Sequence, residues 1–371
     1  GYGTYEYSID GGTVWSSTGS FTGLQPATYD VRMRDAVYHD CYVILNNAFV
    51  ITEPAILAAS VSSINVTCFG ARNGTISVTG PSGGYGTYEF TVDGGANWSS
   101  SGSFSGLIPA TYDVRMRDAA HAGCERILNG ALEITQPDAI SATIGSTAVT
   151  CYGSSNGTIT ITNPTGGYGT YEYSVNGGIS WQTTGTYIDV APGYYNVQIR
   201  DAANPLCTVI LNSALRITEP PILAAVVNRT NITCFGSNNG TITISGATGG
   251  YGTYEYSVNG DVNWQPTGTF NNLTPGTYDV RIRDAANPAC VIILNPAVII
   301  TQPDALSASL QKTDVTCYGA TDGRIQITDP TGGSGSYLYS RDGGVSWQGS
   351  GMFSNLPVGT YDIRIRDAAT P

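Results

Sequence analysis

Lysine is almost missing from the 371-residue sequence: Lys312 is the only one. Charged residues reach 12%, about half the usual ~25%, and their sum is −12. An acidic chain this poor in cations is a bad match for a nucleic-acid backbone or an anionic membrane surface. Histidine occurs twice, at His39 and His121. No apolar run approaches the ~18 residues of a membrane-spanning helix, and no 3.6-residue apolar period extends far enough to predict a helix at all. An initiator Met and a signal peptide are also missing, so any targeting segment is expected outside the sequence. Glycine is abundant, at 47 residues, but follows no G-X-Y period, which excludes collagen. Hydrophobic residues at 41% suffice for packed cores and exclude a disordered tail.

What is present is a repeat. Trp15, Trp98, Trp181, Trp264 and Trp347 follow one another at steps of 83 residues. Two cysteine series keep the same step: Cys41, Cys124, Cys207 and Cys290, and Cys68, Cys151, Cys234 and Cys317. Pro54, Pro137, Pro220 and Pro303 recur inside ITEP or ITQP, and no insertion breaks the register. The length therefore holds about four and a half copies. It begins at a Gly-Tyr-Gly loop and stops at RDAATP, so it reads as a window onto a longer array.

Within a copy the pattern is that of strands. Ile159 and Ile161 alternate with Thr158, Thr160 and Thr162, and Tyr195, Val197 and Ile199 alternate with Asn196, Gln198 and Arg200. Gly-Gly and Pro-Gly pairs punctuate these runs. The predicted class is all-β, a tandem array of immunoglobulin-like (fibronectin III- or PKD-like) sandwiches. The modules are expected at 55–137, 138–220 and 221–303, with partial ones at 1–54 (a C-terminal part) and 304–371 (an N-terminal part). Tyr29, Tyr112, Tyr195, Tyr278 and Tyr361 are placed as tyrosine corners, and with the five tryptophans they are expected to be structural core. Asn73-Gly74, Asn156-Gly157, Asn239-Gly240 and Asp322-Gly323 suggest a hairpin turn with positive φ; the Asn-Gly-Thr triplets also match an N-glycosylation sequon.

No catalytic residues are expected. His39 and His121 are not equivalent in the repeat, so no Ser-His-Asp or Cys-His set can recur. Asp279 and Asp284 frame Arg281 and Arg283 on one strand, which reads as a charge ladder rather than an acid–base pair. Gly249-Gly250-Tyr251-Gly252 precedes no helix, so a phosphate cradle is not predicted. No cofactor is predicted beyond a structural calcium ion, for which Asn259, Asp261 and Asn263 offer alternating oxygens, although Trp264 stands where the loop glycine belongs. Ser8, Asp10, Gly12 and Trp15 resemble the Asp-box of sialidase-type propellers, as do Ser340, Asp342, Gly344 and Trp347. An 83-residue unit is too long for a blade, so only the local inference is kept, a tight hairpin with Trp on the return strand.

Two cysteines per period, with almost no histidine, argue for disulfides in an oxidising, extracellular setting and against zinc. Three pairings are open: Cys68–Cys124 within a module, Cys41–Cys68 across a linker, or Cys68–Cys207 between modules. In a standard sandwich Cys68 and Cys124 lie at opposite ends, ~23 Å apart, whereas a disulfide allows ~6 Å between Cα atoms. Lys–Asn isopeptide bracing cannot be general with Lys312 alone.

The ordered set from Cys234-Phe235-Gly236 through Asn239-Gly240-Thr241-Ile242, Tyr254, Trp264, Tyr278 and Asp284 to Cys290 resembles the SprB repeat, in every copy. That resemblance implies a large cell-surface protein of Bacteroidota, exported by the type IX secretion system, forming filaments or gliding-motility adhesins and carrying no catalytic residues. The expected role is a segment of an extracellular fibre or adhesin stalk, with surface polysaccharide or other chains of the same filament as partners. Short proline-stiffened linkers favour a rod on the order of 150 Å. The alternative is a lectin-like array binding glycans through Trp and Tyr faces; a buried indole would count against it.

Overall fold

The computed structural model describes residues 1–369, in which all regular structure is β-strand. The strands of residues 221–303 show the plan: Ala224–Thr230, Gly240–Thr248, Tyr254–Ser257, Thr269–Leu273, Gly276–Asp284 and Val291–Ile300. The first, second and fourth form one antiparallel sheet, and the third, fifth and sixth another. Alternation decides which side chains meet between them. Ile242 and Ile244 point inward from the second strand, Val280 and Ile282 from the fifth, and all four are buried. Each such side chain contributes roughly 1.5–3 kcal/mol by leaving water. Residues 58–134 repeat the plan strand for strand, with Ile76, Val78, Val114 and Met116 in the equivalent places. The chain is an all-β tandem array of immunoglobulin-like modules.

Residues 1–54 form a single three-stranded sheet, Tyr5–Ser8, Ala27–Asp35 and Tyr42–Ile51, whose last strand is exposed along most of its length. The chain divides into two compact units, which do not follow the 83-residue period. One comprises Gly1–Ser141 with Pro164–Glu172 and Ile199–Val209; the other holds Ala142–Asn163, Tyr173–Gln198 and the residues from Ile210 onward.

The tyrosine corners are formed by hydrogen bonds of one kind. Tyr29, Tyr112, Tyr195, Tyr278 and Tyr361 each donate their hydroxyl to the carbonyl four residues earlier, at 2.7–2.9 Å. All five are half-buried, and Tyr112, Tyr278 and Tyr361 pack against the cores of their repeats.

The expected positive-φ turn at Asn-Gly is not there. Asn239 uses its side chain instead, accepting the Thr233 amide at 3.2 Å and donating to the Thr233 hydroxyl at 2.7 Å. Gly240 opens a strand, and a Cβ there would lie 2.8 Å from Ile300 Cγ2 and 3.0 Å from the Leu273 carbonyl. Close packing selects the glycine. The left-handed backbone falls four residues before Gly240, at Gly236 of Cys-x-Gly, with φ +77°.

Candidate functional site

The feature that recurs with chemistry in it is the junction between repeats. It starts at the ITEP or ITQP linker, which is clamped on both sides. Upstream, the Ile232 amide donates to the Thr301 carbonyl at 2.9 Å, and the Gly236 amide donates to Gln302 Oε1 at 3.1 Å. At the preceding junctions Gly70 donates to Gln136 and Gly153 to Glu219, both at 2.8 Å. Either residue supplies the acceptor oxygen, which is why Glu and Gln interchange. Downstream, the Gly250 amide donates to the Pro221 carbonyl at 2.8 Å, and Gly167 to Asp138 at 2.9 Å.

The Gly-Gly loop can approach the linker only without side chains. A Cβ on Gly249 would lie 2.0 Å from the Ile222 carbonyl oxygen, and one on Gly250 2.3 Å from Asp284 Oδ2. Asp284 is fully buried. Its carboxylate accepts the Tyr251 amide from the Gly-Gly-Tyr loop, and those of Ala286 and Asn287 from the turn before Cys290. The charge-ladder expectation is corrected for this residue: Asp284 binds backbone amides and fastens two loops together. Asp118 does the same in the second repeat, and the Tyr85 amide, followed by those of Ala120 and His121, holds its carboxyl below the usual carboxylate range. The remainder of the ladder is formed, with Arg281 on Asp279 and Arg283 on Glu255.

These loops bring the two cysteine series together. Disulfides join Cys68 to Cys207 and Cys151 to Cys290, each across 139 residues and 5.3 Å between Cα atoms. Of the three pairings open in the sequence, this is the one between repeats. The reason is topological: Cys151 follows the first strand of its sandwich, Cys290 precedes the last strand of the next, and those ends meet at the linker. Thr150, Cys151 and Tyr152 rest against Pro220, Leu223, Gly250 and Cys290. Cys41, Cys124 and Cys317 are exposed thiols, and Cys234 is half-buried beside Pro303 and Leu306.

The tryptophans are placed differently from expectation. All five are half-buried, and Trp98, Trp264 and Trp347 are outside the clusters of buried residues of their repeats. Arg34, Arg117, Arg283 and Arg366 lie 4.2–4.4 Å over the rings of Trp15, Trp98, Trp264 and Trp347, a cation–π cover. Each indole lies outside the strands, one residue before the single bridging residue on the return of the Asp-type hairpin. The hairpin itself has the expected form. Asp10 accepts the Thr13 and Val14 amides, and Tyr7 pairs with Ser16 across it. In the second repeat the Thr91 hydroxyl, then the Asn97 amides, hold Asp93 down to about 2. Of the calcium candidates, Asp261 pairs with Arg281 and Asn259 accepts the Asn263 amide. No group of three or more acidic, His or Cys side chains converges among the described residues.

A family model for the SprB repeat matches residues 60–97, 143–179, 226–263 and 309–346. Each match holds one cysteine of the Cys-x-Gly type and stops short of the tryptophan. No curated protein sequence matches the chain. Among solved structures, three N-terminal domains of the Hoc outer capsid protein of bacteriophage RB49 are 15% identical, over 60% of this chain and 82% of theirs, with a TM-score of 0.29. The N-terminal eight Ig domains of Down Syndrome Cell Adhesion Molecule are 9% identical over 97% and 68%, TM-score 0.25. The S-layer protein rSbsC is 13% identical over 85% and 52%, TM-score 0.20. None of these scores reaches 0.5, so the fold class rests on the strands and sheet orders above. Among the described residues no helix is long and apolar enough to cross a membrane.

Proposed function

The chain belongs to the SprB repeat family, and we propose from that premise that it is a structural segment of a long extracellular fibre or adhesin stalk on a bacterial surface. The observation that carries the reading is the covalent lacing of neighbouring repeats by Cys68–Cys207 and Cys151–Cys290. A disulfide within each module would stabilise modules singly; one between modules secures the string. Disulfides also persist in oxidising surroundings, which suits the outside of a cell. Attachment then comes from many weak contacts presented together, to surface polysaccharide or to other chains of the filament. Gliding motility and type IX export follow as finer parts of the same reading.

Glycan binding through the tryptophans is disfavoured, because an arginine already covers the indole face in four repeats. The two readings separate on intact cells. Antibody against the array should label the cell surface and lose its target on external proteolysis. Attachment should fall as whole repeats are removed and stay unchanged in Trp264→Ala. A surface that loses attachment on that single substitution would be a lectin.

A further inference from the structure

The chain holds six Asn-Gly steps, and five of them stand at two positions of the repeat where other copies carry aspartate. Asn73, Asn156 and Asn239 share a position with Asp322; Asn176 and Asn259 share one with Asp10, Asp93 and Asp342. The sixth, Asn129-Gly130, has only Asn at its counterparts. At the five, the fold uses the same oxygen of either residue. Asn156 Oδ1 accepts the Thr150 amide at 3.0 Å, as Asp322 Oδ1 accepts that of Thr316 at 3.1 Å. Beside it the threonine hydroxyl simply turns round, accepting from Asn156 Nδ2 at 2.6 Å and donating to Asp322 Oδ2 at 2.7 Å. In the hairpin, Asn176 Oδ1 accepts the Ser174 hydroxyl at 2.8 Å and the Ser180 amide at 3.1 Å. Asp93 Oδ1 accepts the Thr91 hydroxyl at 2.6 Å and the Asn97 amide at 2.9 Å. Neither position depends on the amide nitrogen.

The glycine that follows is held still. Gly74, Gly157 and Gly240 are buried at the start of a strand, and a Cβ on Gly157 would lie 2.8 Å from the Val190 carbonyl oxygen. The Gly177 and Gly260 amides donate to the carbonyls of Asn196 and Asp279, at 3.0 and 3.1 Å. Those glycine nitrogens are the reagents of a reaction internal to the chain. Glycine places no Cβ beside its own nitrogen, so the backbone can approach the preceding side chain closely. The deprotonated nitrogen attacks the Asn Cγ, ammonia leaves, and a cyclic imide closes. Water then opens the imide at either carbonyl. One product is aspartate; the other is isoaspartate, whose backbone runs through the side-chain carbon. In sum an amide and a water become a carboxylate and an ammonium ion, and the chain gains one negative charge.

We infer that Asn73, Asn156, Asn176, Asn239 and Asn259 are deamidation sites gated by unfolding, closed in the folded sandwich and opened when a repeat is undone. The two products then part ways. Aspartate re-enters the fold, because other repeats already hold it in the same bonds. Isoaspartate before Gly240 lengthens the backbone by one carbon where Gly240 pairs with Leu273 and packs on Ile300, so that repeat does not close again. Each event leaves a lasting mark that a repeat has been open. The inference rests on this local geometry, whatever the fibre attaches to.

The test incubates the 371-residue chain with its disulfides intact in mildly alkaline buffer, folded and in guanidinium chloride. Peptide mass spectrometry with isoaspartyl methyltransferase labelling reads each step. Expected is deamidation at the five steps at least about tenfold slower in the folded chain, since reaction must wait for opening. After the unfolded sample is refolded and separated by size exclusion, aspartate should be found in the folded fraction. Isoaspartate at 73, 156 and 239 should be confined to the misfolded one. Asn176→Asp and Asn239→Asp should each keep the urea midpoint of the parent. Equal rates in the folded and unfolded chain, a lowered midpoint in either variant, or isoaspartate spread evenly between the two fractions would each overturn the inference.

Discussion

At the scale of single residues, the buried aspartate of each RDA motif is the most exacting position. Asp118 presents only acceptors to three backbone amides, one on a loop 33 residues away. Asp118→Asn turns one acceptor into a donor facing an amide, which should cost about 1–3 kcal/mol and show as a lower denaturation midpoint. The same geometry sets a pH response. Because the amides lower the carboxyls of Asp35 and Asp118 below their ordinary value, their stabilisation is complete above that value. It is lost as pH falls below about 4 through the folded-state value, so acid unfolding followed by circular dichroism should begin there and be blunted in Asp118→Asn. Tyr187 is the opposite case. Its hydroxyl is buried without a hydrogen-bond partner, burial pushes it up to about 12, and the equivalent residues are Phe104, Phe270 and Phe353. Tyr187→Phe should therefore stabilise its repeat by about 1 kcal/mol, measurable as a raised urea midpoint. The buried role of Asp284 was not legible in the sequence, since Arg-Asp alternation on a strand looks the same whether the carboxylate meets a guanidinium or an amide. The tyrosine corner was legible, because its bond is local and its motif complete.

At the scale of elements, the alternation of Ile and Thr was enough to give strands and the face each buries, since period two leaves no other choice. What alternation could not give is how the linker is held. ITEP and ITQP read as stiff spacers, yet Thr301 and Gln302 are hydrogen-bonded to the segment around the Cys-x-Gly loop. The clue was the exchange of Glu for Gln at one position, which points to an acceptor oxygen rather than a charge. Accordingly Glu219→Gln should leave the junction unchanged, whereas Glu219→Ala should expose the Gly153 amide to exchange faster by several-fold, as hydrogen exchange would show. The tryptophans mislead for a physical reason: periodic recurrence is equally required of a core residue and of a surface stack, and only the Arg-Trp contact separates them.

At the scale of the whole molecule, the period announced an array, but the sequence left the cysteine pairing open. The frequency of such bonds favours one within a module, sandwich topology favours one between modules, and the disulfides follow the topology. The covalent graph has a further consequence. Along the backbone, 222 residues separate Cys68 from Cys290. Through the two disulfides the shortest route runs from Cys68 to Cys207, back along the chain to Cys151, and across to Cys290, only 56 residues in all. A fully unravelled stretch can then lengthen to about 190 Å when oxidised and about 750 Å when reduced. Pulling one molecule before and after reductant should show that gap as a step in contour length. Unfolding therefore yields little slack: even with every sandwich undone, the string remains short, because its middle is threaded backwards.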